Sequence, residues 1–173
     1  RYTVDGKRST IQWTGSKVTG SSHTGYISLS SGTVEVKENK ITSAKMTADM
    51  TSITNTDLDA EYAAKLIGHL QSPDFFNVKE HNQSHFVLKS FTENERGGNT
   101  VTGTLTIKGI SNEITFPARV AVKGDQVVID ANLTFDRAKY DVRYGSGSFF
   151  DDLGDNMISD EVELTMHIEA AKK

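Results

Sequence analysis

The stretch NTVTGTLTIKGISNEITFP, residues 99–117, alternates apolar and polar side chains with a period of two. One parity carries Val101, Gly103, Leu105 and Ile107, and the threonines at 100, 102, 104 and 106 carry the other. This alternation predicts a β-strand with one buried face and one face in water. Turn-forming residues at 109–112 and a second alternating run beyond them predict an antiparallel hairpin.

The same alternation recurs in other segments of the chain. It predicts strands at 10–14, 23–33, 41–54, 84–95, 126–136 and 158–169. Within the segment 84–95, Phe86 and Leu88 fall on one phase and Phe91 falls on the other. A hairpin alone is only marginally stable in water, so about eight such strands must share one apolar interior.

The hydrophobic period changes after Asn55, which predicts a helix. The segment Thr56-Asp57-Leu58-Asp59 has the [ST]-x-x-[DE] form of a helix start, and apolar residues then recur at helical spacing at 58, 62, 66 and 70. Pro73 would end this helix, so we predict one inserted α-helix over about 57–71. The aromatic pair Phe75-Phe76 follows in a loop, where it would plug one end of the sheet or pack the helix onto the core.

These elements predict an all-β fold. Long strands with one apolar face either stack as two sheets or curl into a barrel, and a barrel of about eight strands holds one small ligand. We predict an antiparallel eight-stranded β-barrel in which the inserted α-helix serves as a lid or plug, with a two-sheet sandwich as the alternative. The 173 residues fit one domain, 1–173, which buries roughly 70% of its unfolded surface.

Composition argues against several function classes. The net charge is −4 and the basic residues form no cluster, so we expect no nucleic-acid partner. The absence of cysteine rules out a thiolate zinc site, a cysteine nucleophile and a disulfide framework. No segment has the roughly 18 consecutive apolar residues of a transmembrane helix, so we expect no membrane span.

Sequence motifs for catalysis and metal binding are absent as well. The histidines at 23, 69, 81, 85 and 167 are scattered, and there is no G-x-S-x-G, H-E-x-x-H or phosphate-binding glycine loop. Acidic residues at 151, 152, 155, 160 and 161 lack the order of an EF-hand, so we expect a solvated loop at 151–161 rather than a calcium site. We therefore expect neither an enzyme nor a cofactor.

Several segments together resemble one protein family. They are YTVD at 2–5 with Ser9 and Ile11, SIT at 52–54, HLQSPDFFNV at 69–78, VTGTLTIKGI at 101–110 and FDR at 135–137. In this order and spacing the chain resembles, over nearly its whole length, the YceI-like proteins, periplasmic polyisoprenoid-binding proteins with a lipocalin-like barrel. The resemblance implies a lipocalin-like β-barrel whose apolar lumen takes an isoprenoid or another lipid-like chain.

In a closed barrel the apolar parity faces inward, which identifies candidate ligand-binding residues. We expect the lumen to be lined by Trp13, Ile27, Leu29, Phe75, Phe76, Phe86, Leu88, Leu105, Ile107, Phe116, Val120, Leu133, Phe135, Leu164 and Met166. Each of them is also open to a simpler role, packing against its neighbours in the core.

Arg137 shares the parity of Leu133 and Phe135, which places a positive charge at the lumen or its rim. An unpaired charge in such a place is costly. We therefore expect the Arg137 side chain to meet either a carboxylate of the protein or the polar head group of a ligand.

We expect the protein to bind, and to transport or sequester, an amphipathic lipid-like molecule with an isoprenoid or fatty-acyl chain. Two alternatives stay open: a non-catalytic interaction module with a packed barrel, and an enzyme that acts on a bound lipid. The resemblance, with a chain that begins at Arg1 without methionine, predicts a periplasmic or secreted bacterial protein whose signal peptide has been removed. An exposed edge strand would make a homodimer reasonable.

Overall fold

Antiparallel strands form most of the structure, which is a computed structural model that describes residues 1–94, 98–147, 149–150, 153–154 and 157–172. The strands are β1 (Tyr2–Val4), β2 (Thr10–Ser16), β3 (Ser22–Lys37), β4 (Lys40–Asp49), β5 (Gln83–Glu93), β6 (Asn99–Ile107), β7 (Ile110–Lys123), β8 (Gln126–Asp136) and β9 (Glu161–Lys172). The helix α1 spans Ala60–Gln71, and short 3₁₀ helices span Met50–Ser52 and Arg137–Tyr140.

Strands β2 to β9 pair in chain order, and β9 pairs back onto β2, so the sheet closes on itself. Strand β1 takes the same place in the wall as β2, nearer the other end of the barrel, because both lie between β3 and β9. The wall therefore has eight strand positions. This confirms the antiparallel eight-stranded barrel predicted from the sequence, and the sandwich alternative is wrong.

Closure of the barrel removes the structural reason for which a homodimer was considered above. Each of the eight barrel positions pairs with a neighbour on both sides, so the described strands leave no open edge of the sheet along which a second copy would add. The homodimer itself stays a prediction, now without the edge strand that suggested it.

Strand β6 has the alternation that its sequence predicts. Its odd-numbered residues from Asn99 to Ile107 are buried, and the threonines between them are half-buried. Gly103 is required on the inner face, because a Cβ atom there would lie 2.4 Å from the Phe86 ring. The turn after β6 was predicted too late. It consists of Lys108 and Gly109, both with positive φ, since a two-residue turn of this kind matches the twist of the strands.

Strands β3 and β4 differ clearly in length from the predicted strands 23–33 and 41–54. Strand β3 continues to Lys37 instead of ending at 33, with a bulge between Leu29 and Ser31. Strand β4 ends at Asp49 instead of 54, because the Asp49 side chain accepts a hydrogen bond from Thr51 N and starts a 3₁₀ helix. A capping carboxylate at that point ends the ladder.

A second bulge corrects the phase of β5. The pairing with β6 shifts by one residue between Leu88 and Ser90. A shift of one residue turns the following side chains to the other face of a sheet. Phe91 consequently lines the interior together with Phe86 and Leu88, so its predicted placement on the opposite face is wrong.

Helix α1 begins at Ala60, three residues later than the predicted start at 57. The cap is Asp59, whose carboxylate accepts a hydrogen bond from Tyr62 N at 3.0 Å. Residues before it stay outside the helix because they bond to β3, where Thr54 N and Thr56 N donate to the carbonyls of Tyr26 and Thr24 at 2.9 and 3.0 Å. The predicted end at 71 is confirmed.

The two ends of the barrel differ in their connections. At the end that we call the helix end lie α1, the β2–β3 turn and the described residues of the segment 137–160, which joins β8 to β9. At the opposite end, the hairpin end, two-residue turns at 38–39 and 124–125 join β3 to β4 and β7 to β8. The long irregular segments are thus concentrated on one side of the molecule.

Arg137 fixes the segment 137–160 at the helix end. Its side chain is 2% exposed, and it donates hydrogen bonds to the carbonyls of Val142, Ser159 and Ile158 at 2.8, 3.1 and 3.2 Å. A carboxylate oxygen of Asp160 lies 4.0 Å from Nη2. Burial lowers the pKa of the guanidinium, and the neighbouring carboxylates of Asp160 and Asp136 oppose this. The carboxylate foreseen from the sequence is present, but backbone carbonyls make the closest contacts.

We expect Arg137→Met to lower the free energy of unfolding by about 3–5 kcal/mol, because it leaves carbonyls at a buried site without donors. Urea unfolding followed by the fluorescence of Trp13, the only tryptophan, measures the change. Lys139→Met is the matched control on the same 3₁₀ helix, since Lys139 is exposed. A loss below 1 kcal/mol for Arg137→Met would contradict the anchoring role.

His167 lies on the outer face of β9 between two carboxylates. Its Nδ1 is 2.7 Å from Asp130 and its Nε2 is 3.0 Å from Glu169. The hydrogen bond with Asp130, and then that with Glu169, raises the pKa of His167. The protonated imidazole donates to both carboxylates, so this arrangement favours the charged form.

Because the pKa of His167 is raised in the folded state, its stabilising effect is complete below the ordinary histidine value of about 6.5 and is lost as the pH rises through the folded-state value. The side chain is 40% exposed, so we expect an effect of only about 0.5–1 kcal/mol. The unfolding free energies of the parent and His167→Gln should differ more at pH 5.5 than at pH 9. Parallel pH profiles would refute this.

Candidate functional site

The barrel encloses a cavity of about 530 Å³. Inward-facing residues from all eight barrel positions line it, and Leu66, His69 and Leu70 of α1 add to the lining at the helix end. This volume lies within the range of about 300–1,000 Å³ that is typical of small-molecule sites. The candidate functional site is therefore the interior of the barrel.

The structure brings the sequence-predicted lumen residues together. Each apolar residue named above as a lumen candidate, from Trp13 on β2 to Met166 on β9, lines the cavity, and so does Arg137. Arg137 is 2% exposed and bonds to the carbonyls of Val142, Ile158 and Ser159, so it lies deeper than a rim position. That these residues contact a ligand stays a prediction.

The cavity exists because the side chains do not fill the interior. Ile27, Phe86, Leu88, Leu164 and Met166 pack against the core and line the cavity, yet they are only half-buried. Protein interiors are otherwise packed like crystals, with few voids larger than a water molecule. The alternative of an interaction module requires a fully packed barrel, whereas the observed barrel contains a cavity.

Several lining residues were missed from the sequence. Met46 and Ala48 on β4 share the inward parity and were recognisable from it, whereas the bulge in β5 concealed Phe91. Leu66 and His69 of α1 also line the cavity. Their contribution depends on how the helix lies against the barrel, which helical periodicity alone does not reveal.

An aromatic cluster covers the helix end of the cavity. The ring centroids of His69 and Phe75 are 4.8 Å apart, those of His69 and Tyr144 are 4.5 Å apart, and those of Phe75 and Tyr144 are 5.3 Å apart. The Arg137 guanidinium carbon lies 5.7 Å from the centroid of the Phe75 ring. The cluster joins α1 to the segment 137–160, and Phe75 and Phe76 lie at the end of the barrel where the sequence allowed a plug.

The β2–β3 turn and the residues beside it bring exposed lining residues to the helix end of the cavity. Ser16, Lys17, Ser21 and His23, on β2, β3 and the turn between them, all line the cavity, and Lys17 and Ser21 are exposed. We call this group the aperture. Trp13 lies beside it on β2, and its indole Nε1 donates to the Thr54 carbonyl at 3.0 Å. The single tryptophan thus lines the cavity close to its opening.

Within the described part of the chain, no group of three His, Cys, Asp or Glu residues is placed to hold a metal ion. Asp151, Asp152 and Asp155 of the acidic stretch 151–161 lie outside the described residues, so the solvated loop predicted there stays a prediction.

No described helix is long and apolar enough to cross a bilayer.

Comparisons with known proteins agree with this architecture. The YceI-like domain model matches residues 2–170. A UPF0312 protein of Staphylococcus aureus strain bovine RF122 / ET3-1 is 33% identical over 151 residues, which cover 83% of this chain and 82% of that protein.

Solved structures show the same fold. The crystal structure of Burkholderia cenocepacia BcnA has a TM-score of 0.78 and 27% identity, covering 97% of this chain and 99% of BcnA. A polyisoprenoid binding domain from Saccharophagus degradans, implicated in plant cell wall breakdown, has a TM-score of 0.71 and 17% identity, covering 99% of this chain and 98% of that domain. At that identity the likeness concerns the fold alone. Because the family model spans nearly the whole sequence, this chain belongs to the YceI-like domain family.

Proposed function

We propose that the protein binds one amphipathic lipid-like molecule, with an isoprenoid or fatty-acyl chain in the barrel, and carries or sequesters it. The observation behind the proposal is the hollow interior, in which inward-facing apolar side chains such as Leu164 and Met166 remain half-buried. An apolar chain placed there would cover the surface that these side chains leave uncovered. The polyisoprenoid-binding neighbour from S. degradans supports the same class of ligand.

Burial of a hydrocarbon chain supplies enough free energy for this function. Each buried CH₂ group contributes roughly 0.8 kcal/mol, so about ten chain carbons contribute up to ~8 kcal/mol before ordering costs are subtracted. Dissociation constants near the micromolar range would follow. A hydrocarbon has no hydrogen-bonding groups, so selectivity would come from the length of the cavity and from groups at its opening.

The proposed role requires no reaction and no cofactor, because burial of the chain provides the affinity by itself. We propose a periplasmic or secreted location, where a protein that shields an apolar chain from water would move it between surfaces. Release would then require the chain to leave through the aperture or past the aromatic cluster at the helix end.

We expect a stoichiometric lipid to copurify with the protein and to appear in native mass spectrometry. After delipidation, alkanols of 8 to 14 carbons should change Trp13 fluorescence, with affinity rising up to about fourfold per CH₂ until the chain outgrows the cavity. A protein that contains no lipid and responds to no alkanol would refute the proposal.

A filled cavity should lose this binding. Ala48 faces the cavity, whereas Ala121 on β7 is exposed on the outer face. We expect Ala48→Phe to weaken alkanol binding about tenfold or more, which corresponds to about 1.4 kcal/mol. The matched variant Ala121→Phe should bind like the parent. Circular dichroism checks that both variants fold, and equal binding by both would place the ligand outside the barrel.

A further inference from the structure

The two permanently charged side chains among the described lining residues, Lys17 and Arg137, are both cationic. The chain has 23 acidic residues and a net charge of −4, yet none of the described lining residues is Asp or Glu. The basic residues that line the cavity are Lys17, His23, His69, His85 and Arg137. A cavity in an acidic protein that lacks carboxylates in its described lining favours negative charge over positive charge.

Lys17 holds a fixed place at the aperture. Its backbone N–H donates to the Ser21 carbonyl at 2.8 Å and it forms an isolated bridge with Ile158, while Ser159 N donates to the Ser16 carbonyl at 2.8 Å. The β2–β3 turn is therefore tied on one side to the residues that lead into β9. Lys17, which carries an ammonium group, is exposed and also lines the cavity.

Arg137 also contacts Ile158 and Ser159, the residues to which the β2–β3 turn is bonded. It donates to the carbonyls of Ile158 and Ser159, to which the β2–β3 turn is also tied. Three of the five N–H groups of a guanidinium are used in its carbonyl hydrogen bonds. At the helix end of the cavity, residues 158–159 therefore connect the buried Arg137 with the exposed Lys17.

Asp57, the carboxylate bonded to His23 of the aperture, does not itself line the cavity. Asp57 bonds to His23 Nδ1 at 2.9 Å, to Thr24 N at 3.3 Å and to the side-chain amide of Asn55. The hydrogen bond with His23 contributes most to lowering the pKa of Asp57. Its negative charge is therefore held against β3 by three partners. Among the four aperture residues, Lys17 is the exposed cation.

We propose that the bound amphiphile carries an anionic head group, a carboxylate or a phosphate, which lies at the aperture beside Lys17 while its chain extends past Trp13 into the barrel. This inference rests on the proposed function and adds the charge of the head group to it. An ammonium head group would meet Lys17 and find no carboxylate in the described lining. A carboxylate or phosphate would accept charge-assisted hydrogen bonds from the lysine.

The test compares head groups on one chain length. Delipidated protein is titrated at low ionic strength with dodecanoate, dodecyl phosphate, dodecanol and dodecylamine, and Trp13 fluorescence reports occupancy. We expect the two anions to bind about five- to tenfold more tightly than the amine, a modest factor because the lysine is exposed. The difference should narrow at 0.5 M salt, where the Debye length is only a few ångströms.

Lys17→Glu should abolish or reverse this preference. Lys123→Glu is the matched control, because it makes the same charge change at an exposed position at the hairpin end. Acetate and inorganic phosphate at the same concentrations should neither change the fluorescence nor compete, which separates a lipid head group from a free anion.

The outcomes distinguish the two proposals. Equal affinities for dodecanoate and dodecylamine would overturn the anionic head group and leave chain binding intact. An anion preference that survives Lys17→Glu would overturn the assignment to Lys17. Competition by free phosphate would replace the lipid head group with a simple anion site. Failure of all four dodecyl compounds to bind would instead refute the proposed function itself.

Discussion

The backbone ladder between β2 and β9 is the constraint on which the rest of the structure depends. It joins the first long strand to the last one, from Thr10 opposite His167 to Thr14 opposite Glu163. Without it the apolar faces of the strands would need a second sheet to cover them. With it, the same faces turn toward a common axis, and eight strand positions leave an interior wide enough to remain partly empty. The cavity therefore follows from the closure of the sheet between β2 and β9.

The irregular segments matter because they decide how that interior meets water. At the helix end, α1 and the segment 137–160 meet through His69, Phe75 and Tyr144. Arg137 holds the second of these segments by bonding to carbonyls at both of its ends. Anchoring through backbone carbonyls places a cation beside the cavity without introducing a carboxylate into the described lining. The same arrangement therefore serves stability and the charge of the site.

Local sequence patterns foretold the barrel well, because the period of two in β6 or β8 follows directly from the geometry of a strand. Features that depend on partners elsewhere were harder. The bulge after Leu88 resets the phase without any change in composition, which hid Phe91. Both Thr56 and Asp59 have the chemistry of a helix cap, and only the bonding of Thr56 to β3 decides between them. The carbonyl partners of Arg137 come from a segment that has no periodic pattern.

Strands β1 and β2 share one position in the barrel wall, and this places the two chain termini at the same end of the barrel. Because β1 lies at the hairpin end, Tyr2 is the direct partner of Lys172 on β9, and its hydroxyl reaches the Gly124 carbonyl at 2.9 Å. The first and last strands therefore emerge side by side, at the end of the barrel opposite the aperture. A tether, fused domain or solid support joined at either terminus would leave the aperture at the end of the barrel away from the attachment.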